Sequence, residues 1–136
     1  MKAERFILCA VIKGEKYAAE QDLFRLEFTE KRADIASYLI SLIEKNEKIY
    51  AATLCDRLGE DYIDELNAVL LECDGVSVNS AASYYGDCIK TVRRARLEDE
   101  INDLNDCLSS VTDIDVMRKI VEQIQKKTDE LNKLKN

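Results

Sequence analysis

The sequence predicts an all-α protein: a small multi-helix bundle followed by a long helix that continues into a C-terminal antiparallel helical hairpin. Three observations carry this. Apolar residues recur at spacings of three and four almost throughout, with no sustained alternation. The 136 residues include no proline and only four glycines, so little interrupts a helix. Between residues 81 and 109 the apolar stripe changes face partway along one unbroken stretch.

The first helix is expected from Ala3 to Lys13. Phe6, Leu8, Cys9, Val11 and Ile12 make it apolar nearly all round, as a central helix must be. Gly14 is placed to end it. A short helix is expected from Glu15 to about Asp22. Thr29 can cap the next, which runs to about Lys45 and buries Ile35, Tyr38, Leu39, Leu42 and Ile43. A fourth helix covers Tyr50 to Leu58 and stops at Gly59, and a fifth covers Asp61 to Leu71. Glu72 to Asn79 reads as a loop, with Ser80 capping the long helix after it.

That long helix spans Ala81 to about Ser109. Ala81, Tyr85, Cys88, Ile89 and Val92 form one stripe; Leu97, Ile101, Leu104 and Leu108 form another, about 150° away at 100° per residue. The switch falls in KTVRRARLEDEI, Lys90 to Ile101, at Arg93, Arg94, Arg96 and Leu97. This is the expected junction between subdomains at 1–95 and 96–136. Gly86 costs about 1 kcal/mol inside a helix, so a close backbone approach is expected there. SSVTD breaks the pattern, and Thr112 with Asp115 resembles a capping box. The last helix runs from Asp113 almost to the end. Ile114, Met117, Val121, Ile124, Thr128 and Leu131 give it a 3-4-3-4-3 seam, flanked by a surplus of Val116, Ile120 and Leu134.

Charge and chemistry narrow the function. The net charge is −7, with most of the excess acidity in residues 1–79. A phosphate backbone would repel the chain, so no strong nucleic-acid binding is expected. The basic residues at Lys90 to Arg96 read as a solvated, salt-bridged arc, with Arg96 and Glu100 as one i,i+4 pair. Docking of that arc to an acidic partner, and its contact with phosphate, are the competing readings. Histidine is absent, and no two of the five cysteines are close enough for a CxxC. Cys9, Cys55 and Cys88 are expected as small buried hydrophobes. There is no phosphate-binding glycine motif, and no carboxylate pair stands out as acid and base. No catalytic, cofactor or metal site is expected in this chain. Membrane-spanning and signal segments are lacking, so a cytoplasmic protein is expected.

Three stretches carry a family likeness: Ala3-Glu4-Arg5-Phe6-Ile7-Leu8 with Cys9-Ala10-Val11-Ile12; Phe28-Thr29-Glu30-Lys31-Arg32 leading to Ile35 and Tyr38; and Asp87 to Ile101. Together the chain resembles the C-terminal helicase-binding domain of bacterial DNA primase of the DnaG type. The resemblance implies docking onto the N-terminal domains of the replicative hexameric helicase, of the DnaB type, coupling primer synthesis to unwinding. The surplus face, taken with the neighbouring seam, nominates Val116, Met117, Ile120, Ile124, Lys127, Leu131 and Leu134 as partner-binding residues. The family's zinc-binding and catalytic regions are missing, so the sequence reads as a fragment whose Met1 was supplied as a start codon. The parent would use zinc and divalent metal in other domains. Two rivals stand beside this: the N-terminal domain of the helicase itself, and a homodimerising helical interaction module. A monomer is expected, with weak self-association the alternative.

Overall fold

In the computed structural model, which describes residues 1–135, the chain is all-α, with no strand among the described residues. Seven α-helices run in order: α1 Lys2–Ile12, α2 Gln21–Arg25, α3 Glu30–Glu44, α4 Ala51–Leu58, α5 Ile63–Leu71, α6 Val78–Ser110 and α7 Ile114–Lys135. Short 3-10 turns at Glu60–Tyr62 and Glu72–Gly75 precede and follow α5. The chain divides into two compact units, one over Met1–Val92 and one beginning at Arg93. Helix α6 supplies residues to both.

The first unit is built around α1. Phe6 to Ala10 are wholly buried, because nothing charged stands between Arg5 and Lys13. Helices α3 and α5 pack on α1, and the core is completed by Leu23, Phe28, Ile35, Leu39, Leu54, Leu66 and Val69. From α6, Tyr85, Cys88 and Val92 join that core, on the face the sequence indicated.

Two helices close by the same device. After α1, Gly14 has φ +68°; its N–H donates to the Val11 carbonyl, and Glu15 N–H donates to the Ala10 carbonyl. After α3, Asn46 has φ +59° and donates to Ile43, while Glu47 donates to Leu42. Each left-handed residue turns the chain so that the last helical carbonyls are satisfied, and glycine or asparagine accepts that backbone most readily.

Several boundaries differ from expectation. The short second helix is Gln21–Arg25, not Glu15 to Asp22. The buried Tyr85 hydroxyl donates to Asp22 Oδ2 (2.6 Å) and accepts from Ala19 N–H (3.4 Å), holding the preceding segment as turns. Six of the eight residues of the expected loop at 72–79 are helical, Glu72–Gly75 as a 3-10 turn and Val78 and Asn79 in α6. Helix α6 begins at Val78 with Ser77 before it; the Ser77 and Ser80 hydroxyls lie 2.7 Å apart, so Ser80 sits one turn inside rather than at the cap. Gly86 makes no close approach: a Cβ there would meet nothing within 4 Å. With helical backbone and open space, Gly86→Ala should stabilise the protein by about 0.5–1 kcal/mol, read as a higher midpoint in urea.

The bundle also buries charge. Glu4 on α1 is 1% exposed and Arg32 on α3 is 5% exposed. Glu4 accepts hydrogen bonds from the backbone and hydroxyl of Thr29. Arg32 Nε lies 3.5 Å from Glu4 Oε2, its Nη2 donates to the Thr29 hydroxyl, and its Nη1 donates to Glu65 Oε1 on α5 at 2.8 Å. Arg5 donates to both oxygens of the same Glu65, at 3.0 and 2.8 Å. Thr29 therefore stands at the start of α3 as expected, but its hydroxyl serves Glu4 instead of the helix end. Bonding to Arg5 first, and to Arg32, holds the Glu65 carboxyl at about 2, against its burial. Two acids and two bases thus tie α1, α3 and α5 together, and the exposed Glu30 adds a third carboxylate 3.5 Å from Arg32 Nη2.

Candidate docking surface

The second unit contains the rest of α6 from Arg93, a three-residue turn from Val111 to Asp113, and α7. Asp113 makes the turn abrupt. Its Oδ1 accepts from the Asp115 N–H at 2.8 Å and the Val116 N–H at 3.4 Å, which are bonds of an N-cap. The cap is thus Asp113, not Thr112 with Asp115. Aspartate also suits the positive end of the α7 dipole.

One cross-link sets the register. Lys127 Nζ donates to Glu100 Oε2, and Arg96 Nε donates to Glu100 Oε1 at 2.8 Å, which is the i,i+4 pair the sequence indicated. Lys127 first, then Arg96, lowers the Glu100 carboxyl below its ordinary value. With Glu100 opposite Lys127, counting outward brings Leu97 to within one residue of the level of Leu131, Leu104 of Ile124, and Leu108 of Ile120. Leu97 and Leu131 are the buried pair of this layer.

The seam on α7 therefore differs from the one the spacing suggested. Met117, Ile120, Ile124, Lys127, Thr128 and Leu134 are half-buried and Leu131 is buried. Ile114 and Val121, expected in the seam, are 71% and 51% exposed. Ile120 and Leu134, expected as surplus, take their place. Two 3-4 registers overlap on this helix and share Met117, Ile124 and Leu131. The Glu100–Lys127 bond favours the one that spacing alone does not single out.

Of the seven nominated partner-binding residues, only Val116 is openly exposed, at 41%. Met117, Ile120, Ile124, Lys127 and Leu134 show part of their surface along the seam, and Leu131 shows almost none. Val116, Lys127 and Leu134 lie within about 20° of one another on α7 at 100° per residue, so they share one flank. At the junction, Arg93 is exposed and Arg94 is half-buried, its Nε buried and without a hydrogen-bond partner; Leu97 is buried.

The arrangement suits protein docking. A two-helix layer covers each helix on one side only, and here just two of its apolar residues fall below a tenth exposed. Ile101, Leu104, Leu108, Met117, Ile120 and Ile124 all keep accessible edges. Such a half-open apolar face is what a helix-binding or helix-presenting surface requires.

The cysteines are all free thiols. Cys9 and Cys88 are buried and Cys55 is half-buried. Burial pushes the Cys73 and Cys88 thiols up, away from the thiolate that nucleophilic chemistry needs. A cleft of about 510 Å³ in the first unit, lined by Lys13, Tyr17, Cys73 and Val76 among others, has the Lys13–Asp74 ion pair (3.6 Å) at its edge. No helix among the described residues is long and apolar enough to cross a membrane.

No protein-family model matches the chain, and neither the curated proteins nor the solved structures contain a match.

Proposed function

We propose that this chain is a non-catalytic docking domain that binds the N-terminal domains of a replicative hexameric helicase in the cytoplasm, as the helicase-binding domain of bacterial DNA primase does. The parent protein would make the primers, using zinc and divalent metal outside this chain; the docking domain would bring it to the site of unwinding. The observation that carries the reading is the half-open apolar face of a hairpin that forms its own compact unit. A second observation supports it. Two of the stretches that carry the family resemblance meet in one network, Glu4 and Arg5 from the first with Thr29 and Arg32 from the second. Those residues thus have a shared structural reason to occur together.

On this reading the partner covers the flank of Val116, Lys127 and Leu134 and the open edges of Ile120 and Ile124. Calorimetric titration of the chain into the replicative helicase of its own organism is the test. A saturable complex is expected. Deleting Ser109 to Asn136 should abolish it, and Val116→Asp, at an exposed position, should weaken it about tenfold, or about 1.4 kcal/mol. A folded chain that gives no heat and no complex overturns the proposal.

A further inference from the structure

Two of the free thiols meet in the first unit. Cys9 is wholly buried on α1, and its Sγ lies 3.6 Å from the Leu70 carbonyl oxygen near the end of α5. One turn further along the chain from Cys9, Lys13 Nζ lies 3.6 Å from Asp74 Oδ1. The stretch from Leu70 to Asp74 therefore runs beside the face of Cys9 and Lys13, and Cys73 falls between those two contacts. Helix α1 packs directly on the 3-10 turn that carries Cys73. The two thiols face each other: burial first, and the hydrogen-bonding Cys9 thiol second, push Cys73 up to about 12. Cys73 is half-buried and lines the cleft of about 510 Å³, so it has the access to solvent that Cys9 lacks. The other buried thiol, Cys88, is engaged with the Tyr84 hydroxyl.

We propose that Cys9 and Cys73 form a reversible dithiol–disulfide pair, closed by a small-molecule disulfide of the glutathione type that reaches Cys73 through the cleft. A protein disulfide needs two side chains that face one another from adjacent segments. Thiols in hydrogen-bonding reach, on two elements already packed together, meet that condition. The chemistry runs in two exchanges. The Cys73 sulfur, as thiolate, attacks one sulfur of the small disulfide. The bond to Cys73 forms, the original S–S bond breaks, and one small thiol leaves with the proton that Cys73 gave up. The Cys9 sulfur then attacks the Cys73 sulfur, and the second small thiol leaves with the Cys9 proton. Two electrons pass from the protein to the oxidant, and excess thiol reverses both steps. The raised Cys73 thiol makes the first exchange slow. The second is intramolecular, with its nucleophile held in place. A disulfide of this kind in a reducing compartment is transient and follows the redox state around it. Both thiols belong to the first unit, so the inference does not rest on the docking face of the hairpin.

The test uses the full chain carrying Cys107→Ser, because the exposed Cys107 would otherwise couple one copy to another. The folded protein is held with oxidised glutathione at about pH 8.5, where more thiolate is present, and its thiols are then counted in denaturant. Two of the four remaining thiols should be lost, with no glutathione retained, and dithiothreitol should restore them. A protease that cuts before aspartate separates Cys73 from Cys88 at Asp74 and Asp87. The linked fragments should join Cys9 to Cys73. Cys73→Ser, at a half-buried position, should keep all of its thiols free of an internal link, and Cys9→Ala should trap glutathione on Cys73. The fragment map itself needs no change in the core. Four thiols that still titrate after prolonged oxidation overturn the proposal. So does an internal link that joins any other pair, or glutathione that stays on Cys73 while Cys9 is present. No helicase takes part, so the docking reading stands or falls separately.

Discussion

Arg32→Ala should cost about 3–5 kcal/mol of stability, the largest effect expected from any single change outside the apolar core. The loss is only partly that of attraction. Removing the guanidinium leaves Glu4, 1% exposed, without its nearby cation, and an uncompensated buried carboxylate is what makes such truncations expensive. Arg32→Lys should also fail to restore stability. A single ammonium cannot serve Glu4, Thr29 and Glu65 in three directions as the guanidinium does. Arg32→Ala with Glu4→Gln should cost less than the sum of the two single changes, because the second removes the stranded charge. Urea midpoints of the four proteins measure this; strict additivity would mean that the two residues act separately.

The same network sets a pH dependence. The Glu65 carboxyl is held at about 2, below its unfolded value of 4.5. A depressed acid contributes stability that is fully present above the unfolded value and is lost as pH falls towards the folded one. Glu65 therefore stabilises the fold at neutral pH and withdraws that support between about 4.5 and 2. Glu65→Gln should flatten the acid limb of the stability profile over that interval.

Ending the chain after Ala95 should leave a folded, cooperatively unfolding protein, and under the proposed docking function it should bind no helicase. The reason is where the apolar core ends. Every residue of the main core cluster lies between Ala3 and Val92, and the hairpin contributes none. Denaturant unfolding with a single transition and retained helical dichroism would be the expected result for the fragment. A fragment that binds a hydrophobic dye and melts without cooperativity would show that the first unit needs the rest of the chain.

Most of the helices are legible in the sequence because their signals are local. The run Phe6 to Ile12 has no charged residue, which marks a central helix. Gly14 and Gly59 mark stops because each takes a positive φ, +68° and +94°, that other residues resist. The change of stripe near Arg93 falls where the compact units divide. The features that escape a sequence reading depend on distant residues. Ser77 and Ser80 are equally good caps by type, and only the start of the helix decides between them. The second helix lies later than expected because a tyrosine more than sixty positions away fixes the turn before it. On α7 the spacing admits two seams. The deciding bond, Glu100 to Lys127, joins two helices, although a lysine that falls level with a glutamate across a short turn is a signal the sequence does carry. Gly86 misleads by the opposite route. A costly glycine invites a packing reason, and the structure gives it none.

The closing motifs after α1 and α3 bear on how the chain finds its fold. Each uses only hydrogen bonds that span five residues or fewer, from Gly14 and Glu15 back to Val11 and Ala10, and from Asn46 and Glu47 back to Ile43 and Leu42. Such bonds need no distant partner, so both stops can form on the timescale of helix growth, about a microsecond or less. The central apolar helix is then limited in length before it meets its neighbours. A chain with its stops already in place has fewer misregistered helix pairings to try before the long-range packing of α1 on α5.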